Sequence, residues 1–284
     1  MKVTAIILTH NRPQLLKRAV ESVLSQTYKD IECIVVDDAS EESSESYCGN
    51  LGIRYIYISP IESKGGNHAR NVGIKASRGE YVAFLDDDDY WLPTKIEKQM
   101  ELIVNKGCGA VYGKMIIEEV TEAGDVVMKE NPFPSLDFQG DIRERILYEH
   151  PTTTSSLIIS RSMLFEVGLF DEKLEYWQEY ELLIRIAQKG PIYMVEEPVF
   201  VYRMNTNEKA RLSNKYYGWR ATVKYIHLKH KALYDSLCSN KKLLLMMYIY
   251  YDGKERARCC GLKWRYFINA VCFNLLYLFI GRKQ

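Results

Sequence analysis

The chain has 284 residues, 47% hydrophobic and 26% charged, an ordinary globular composition that excludes disorder, collagen-like repeats and low-complexity arrays. Seven scattered cysteines without a CxxC pair argue against a disulfide framework or a zinc ribbon and suit a reducing compartment. The net charge of +1 hides a split: residues 1–208 carry 22 Lys+Arg against 34 Asp+Glu (−12), and residues 209–284 carry 16 against 3 (+13), so an acidic body is joined to a basic, tyrosine-rich tail.

The opening MKVTAIILTHNR reads as a strand rather than a signal peptide. Residues 3–8 are a short β-branched apolar run, the pattern of a buried strand. Pro13 then opens a helix whose apolar positions are Leu15, Leu16, Ala19, Val20, Val23 and Leu24; its missing N–H costs nothing in a first turn. Residues 31–36 and 53–58 are further strands, Gly65-Gly66 precedes a helix over about 67–76, and residues 81–85 form a fourth strand ending in Asp86-Asp87-Asp88-Asp89. This alternation predicts an α/β fold with a mostly parallel, Rossmann-like sheet covered by helices on both faces. Such sheets bind ligands at the carboxyl ends of their strands, where Thr9, Asp38 and aspartates 86–89 should gather.

Farther along, residues 109–117 read as a strand, 118–140 as a loop or hairpin, 155–160 as a strand and 161–167 as a short helix. A helix over 178–188 follows from Leu182, Leu183 and Ile186 and is stopped by Gly190-Pro191. Residues 192–195 and 199–202 look extended, and the pattern is helical from about Leu212. The expected organisation is a nucleotide-binding half over 1–115, an acceptor half over 116–208 and a basic helical region over 209–284.

Four adjacent carboxylates after a buried strand repel one another, which raises their pKa values unless a cation offsets it. Hard oxygen ligands suit Mg²⁺ or Mn²⁺ bridged to a phosphate. The plainer reading is an acidic loop capping the next helix, with Asp89 near the N-cap and Pro93 in the first turn. Asp38, ending the second strand, is placed to meet a ribose or a base edge, although turn formation also explains Asp37-Asp38. No GxGxxG follows the first strand, so a dinucleotide fingerprint is missing. Gly66 and Arg70, in Lys64-Gly65-Gly66-Asn67-His68-Ala69-Arg70-Asn71, offer free backbone N–H groups and a permanent charge for a phosphate.

Taken together, Ile6-Ile7-Leu8-Thr9-His10-Asn11-Arg12, Val35-Val36-Asp37-Asp38-Ala39-Ser40, Gly66-Asn67-His68-Ala69-Arg70-Asn71 and Phe84-Leu85-Asp86-Asp87-Asp88-Asp89 make residues 3–115 resemble the nucleotide-binding half of family 2 glycosyltransferases, which have a GT-A fold. The resemblance implies that Thr9, Asn11 and Arg12 line the nucleoside pocket, that Asp38 takes the base, usually uracil, and that Gly66 and Arg70 lie near the diphosphate. Asp86 and Asp88 fill the outer positions of the family's DXD motif; Asp86 would face the ribose or the metal, Asp87 would belong to the donor site with it, and Asp88 would be the firmer ligand to Mn²⁺ or Mg²⁺. Thr152-Thr153-Thr154-Ser155-Ser156 and Gly168-Leu169-Phe170-Asp171 look like its acceptor side. Trp177-Gln178-Glu179-Tyr180-Glu181 aligns with its catalytic segment, where Asp is usual: Glu179 would be the base and Glu181 competes. A charged first helical turn also explains both glutamates. Met204-Asn205 replace the family's usual histidine, leaving Arg203 and Arg211 as alternative phosphate contacts.

The implied activity is inverting, metal-dependent sugar transfer from a nucleotide sugar, UDP-linked in the first instance, to a saccharide or lipid-linked saccharide, as in bacterial surface-polysaccharide assembly. The rivals are a nucleotidyltransferase and a non-catalytic nucleotide-sugar-binding protein. Residues 267–280 are apolar and too short to span a bilayer comfortably, with Lys254, Arg256, Arg258, Lys263, Arg265, Arg282 and Lys283 around them. They read as an interfacial helix on anionic lipid, or equally as a core or oligomer-contact helix. The acidic body disfavours nucleic acid. The expected location is cytoplasmic, including the inner face of the cell membrane.

Overall fold

The computed structural model describes residues 1–121, 124–131, 134–205 and 215–281, and in it strand and helix alternate as the apolar runs require. The first half runs β1 (Val3–Thr9), α1 (Pro13–Leu24), β2 (Ile31–Asp38), α2 (Glu45–Asn50), β3 (Arg54–Ile58), α3 (Gly66–Ala76) and β4 (Tyr81–Asp86). Then come β5 (Tyr90–Trp91), α4 (Lys95–Lys106), β6 (Ala110–Val120), β7 (Val126–Glu130), β8 (Ile158–Ser160), α5 (Arg161–Glu166), α6 (Gln178–Ala187) and β9 (Ile192–Asn205). Helices α7 (Tyr216–Lys229), α8 (Lys231–Ser236), α9 (Ser239–Cys259) and α10 (Lys263–Gly281) complete the chain.

The sheet has the order β3-β2-β1-β4-β8-β6-β9-β5, with β7 hairpinned onto β6. Its first four strands are parallel; β8 runs antiparallel to both β4 and β6, while β9 is parallel to β6. Alternate residues of β1 feed two cores. Val3, Ala5 and Ile7 pack with Leu16, Ala19, Val20 and Val23 of α1, whereas Ile6 packs with Phe84, α6 and the C-terminal helices. Fully burying one such side chain contributes on the order of 1.5–3 kcal/mol. Register sets Thr9 beside Asp37 and Leu8 beside Asp86, so the carboxyl ends of β1, β2 and β4 form one edge.

Several expectations need adjusting. Thr154–Ser156 form a 3₁₀ turn, and only Ile158–Ser160 pair as strand. The two extended segments after Gly190 are one strand, because a bulge opposite Gly113 and Lys114 lets β9 step past Glu196 and Glu197 and resume pairing at Pro198. The helix after the acidic run starts at Lys95 with Thr94 in the N-cap position, so Asp89 caps nothing. Leu212 lies outside the described residues; α7 begins at Tyr216.

Candidate active site

The strand-end aspartates divide by burial. Asp86 ends β4 and the next two residues turn, so the side chains of Asp86 and Asp88 keep 33% and 24% of their surface, while Asp87 and Asp89 are buried. Each has its own partners. The Arg70 guanidinium donates to Asp86 Oδ1 at 2.6 Å. Thr9 Oγ1 donates to Asp87 Oδ2 at 2.8 Å, and Arg12 Nη1 bridges Asp87 and Asp88 at 3.2 Å each. Asp89 accepts from Ser155 Oγ at 2.6 Å and from the Arg203 backbone N–H at 3.1 Å. Burial pushes the Asp87 carboxyl up to about 6, with the Thr9 hydrogen bond and Arg12 opposing the rise. Burial likewise holds Asp89 well above the usual carboxylate range. The inner pair therefore supports the turn, and the outer pair faces the open side.

Around this edge the loops are tied together. Asn11 takes φ 53°; its N–H donates to Ser40 Oγ at 2.7 Å and its Oδ1 accepts from the Glu41 N–H at 2.8 Å, which locks the β1 loop to the β2 loop. Asp37 accepts from the Ser40 N–H and from Tyr55, leaving Asp38 at the rim. Asp38 Oδ1 is buried and has no hydrogen-bond partner among the described residues, an acceptor that a ligand N–H would satisfy. A Cβ on Gly66 would press to 3.2 Å from Arg70 Nη1, so glycine leaves the guanidinium its room. Arg203 turns its guanidinium onto Glu118; Arg211 lies outside the described residues.

The two candidate bases separate clearly. Trp177, at φ 52°, turns the chain into α6 from the left-handed region, a costly conformation for a bulky residue that persists only where the surroundings impose it. Glu179 follows in the first helical turn, 8% exposed, with Oε1 3.2 Å from His150 Nε2. Burial drives its carboxyl up, but His150, the backbone N–H and the charge of Arg70 outweigh burial and leave it below the usual range. Glu181 is fully buried, bound by Arg185 at 2.7 Å, Lys229 at 2.8 Å and His230 at 2.9 Å. A carboxylate so committed joins α6 to α7 and has no room for a substrate proton.

Two hard-oxygen donors, Asp86 and Asp88, are thus the residues that would hold a divalent cation. Among the described residues no three His, Cys, Asp or Glu side chains converge on a metal position. An ion here would draw its remaining ligands from phosphate oxygens and water, which is how Mg²⁺ and Mn²⁺ commonly bind. The structure brings together Thr9, Arg12, Gly66, Arg70, Asp86, Asp87 and Asp88 around this edge, with Asn11 on the adjoining loop, Asp38 at the end of β2 and Glu179 near enough to feel the charge of Arg70. His150 was not expected here, and Ser155 was expected only within an acceptor-side segment, since no spacing in the sequence ties either to the residue it serves.

The profile of the family "Glycosyl transferase family 2" matches residues 4–168. The chain belongs to glycosyl transferase family 2. An uncharacterised glycosyltransferase of Rickettsia typhi is 30% identical over 206 residues, covering 72% of this chain and 64% of that protein, so the chain spans less than two thirds of that relative. A relative from Campylobacter jejuni, the GalNAc(5)-diNAcBac-PP-undecaprenol beta-1,3-glucosyltransferase, is 27% identical over 232 residues, 80% of this chain and 72% of its own. The crystal structure of S. aureus TarS residues 1–349 in complex with UDP-GlcNAc superposes with a TM-score of 0.62 at 15% identity, over all of this chain and 93% of that one. That likeness confirms the GT-A fold of the family 2 domain, here extended by C-terminal helices.

Proposed function

We propose that the protein transfers a sugar from a nucleotide-diphosphate sugar, UDP-linked as donor class, to a hydroxyl of a saccharide or lipid-linked saccharide, with inversion at the anomeric carbon. The observation that carries this reading is the pair Asp86 and Asp88, held at the strand-end edge by Arg70 and Arg12, with the charge of Arg70 also acting on the buried Glu179. Asp38 Oδ1 accepts a base N–H. Arg12 and Arg70 offer positive charge to the diphosphate, and Gly66 lets Arg70 approach it. Asp87 acts through Thr9 and Arg12, which it fixes in place. Asp88 and Asp86 would hold a divalent cation, which would supply Lewis-acid neutralisation of the leaving diphosphate. Glu179 removes the proton of the attacking hydroxyl.

For the acceptor, support comes from the C-terminal helix. Trp264, Phe267, Ile268, Val271, Leu275 and Leu278 are exposed and fall on one arc of α10 at helical spacing, while Asn269 on the other side is buried, its amide donating to the Tyr216 hydroxyl at 3.2 Å. Among the described residues no helix is long and apolar enough to cross a membrane. An outward apolar stripe within a region of charge +13 suits shallow insertion at an anionic lipid surface. The Campylobacter relative is named for an undecaprenol-linked acceptor, and an acceptor of that kind would place this protein on the cytoplasmic face of a membrane.

The test is divalent-cation-dependent turnover of a panel of nucleotide sugars. Release of a nucleoside diphosphate from one of them is expected and names the donor. Release of pyrophosphate would make the protein a nucleotidyltransferase, and binding without turnover would make it a binding protein.

A further inference from the structure

We propose that His150 is a positioning residue for the base: its ring fixes the Glu179 carboxylate through Oε1 and leaves Oε2 for the acceptor hydroxyl. The inference rests on Glu179 being the base and adds the group that makes it one. His150 comes from the loop before Pro151, and Glu179 from the first turn of α6, yet Nε2 and Oε1 stand 3.2 Å apart, both side chains nearly buried. The imidazole is held by the aromatic groups around it. Its centroid lies 5.3 Å from Tyr180 and 6.3 Å from Trp177. Tyr180 is in turn anchored, its hydroxyl donating to the Leu147 carbonyl at 2.9 Å and standing 3.2 Å from the Tyr234 hydroxyl. Nε2 has no well-aligned hydrogen-bond partner among the described residues, so its hold on Oε1 rests on their 3.2 Å proximity.

The need for such a group follows from burial. A carboxyl this enclosed is pushed toward its neutral form, in which it accepts no proton. The titratable and charged groups facing it are His150, Arg70 of α3 and Tyr248 of α9. Arg70 is already paired with Asp86 at 2.6 Å, and a tyrosine pushed upward by burial brings no positive charge. His150 is therefore the main group that keeps Glu179 ionised. Its folded-state pKa is lowered by this contact, so deleting the ring lets that pKa rise and moves the acid limb of the rate profile to higher pH.

The experiment is the pH dependence of kcat/KM for the full chain and for His150→Ala, His150→Gln and Glu179→Gln, with UDP affinity and Tm measured alongside. His150→Ala is expected to move the acid limb up by roughly one pH unit, a tenfold loss on its acid side, with UDP affinity kept. His150→Gln keeps the side chain's bulk and places an amide N–H near the Nε2 position, so it is expected to restore part of that shift; it also carries the test if the alanine variant folds poorly. An unmoved acid limb in both variants, or a loss equal at every pH and matched by lost UDP affinity, would overturn the role of His150. Near-normal transfer by Glu179→Gln would instead remove the base itself, a failure separate from that of His150.

Discussion

Glu179 and Glu181 sit two residues apart on α6 and have opposite fates. Sequence alone left them as alternatives, because a charged first turn explains both; Arg185 of α6, Lys229 of α7 and the His230 ring just after it all hold Glu181, which favours Glu179 as the candidate base. Burial raises the Glu181 carboxyl, but His230, Arg185 and Lys229 more than reverse that and bring it to about 2. A carboxyl lowered in the folded state stabilises the fold above its unfolded pKa near 4.5, and that contribution is lost as pH falls from there toward 2. The stake is about 3 kcal/mol. Urea unfolding of wild type between pH 6 and pH 3 should show a steep loss that Glu181→Gln largely lacks, the variant being weaker than wild type already at pH 6; parallel curves would contradict it. Within the acidic run, the family resemblance singled out Asp86 and Asp88, but the residues themselves did not show which aspartates turn inward. Four identical residues in a turn carry no pattern, and only Thr9, Ser155 and the Arg203 backbone show which two point inward.

At the scale of elements, the long periodic segments were readable and the short ones were not. α1 and the strands β1 to β4 follow from apolar spacing, whereas α2 has a single buried residue, Cys48, and β5 is two residues long, too little for any period to register. The irregularity of β9 was hidden for another reason: its bulge depends on pairing with β6, a partner far away in the chain. The seating of α3 is what brings Arg70 to Asp86, and Gly73 permits it. A Cβ there would stand 2.7 Å from Ile6 Cγ2. Gly73→Ala is expected to cost on the order of 1–3 kcal/mol by overpacking, despite alanine's better helix propensity, and to weaken nucleotide binding by displacing Arg70. A raised Tm with unchanged UDP affinity would contradict that seating.

Across the whole molecule, the change of charge at about residue 208 was visible in composition, but the packing of the basic region was not. Trp219 of α7 is fully buried and meets Trp177 edge-on at 5.8 Å, so the helical region shares a core with the residue that leads into Glu179. Its outer face remains the open stripe of α10. Flotation with vesicles is expected to recover the protein with anionic lipid and much less with neutral lipid, and a Phe267→Glu, Leu275→Glu double variant should lose binding while keeping nucleotide-sugar turnover. Equal recovery on both lipids, or a stripe-dependent dimer in sedimentation without lipid, would contradict a membrane partner. The whole functional reading depends on the open carboxylates, and the most direct measurement is the rate of nucleoside diphosphate release against Mn²⁺ concentration for wild type and Asp88→Asn. Cation-dependent release by wild type, with a loss of about 10²-fold or more in the variant at unchanged Tm, is the expected result; equal rates in both proteins at every Mn²⁺ concentration would contradict it.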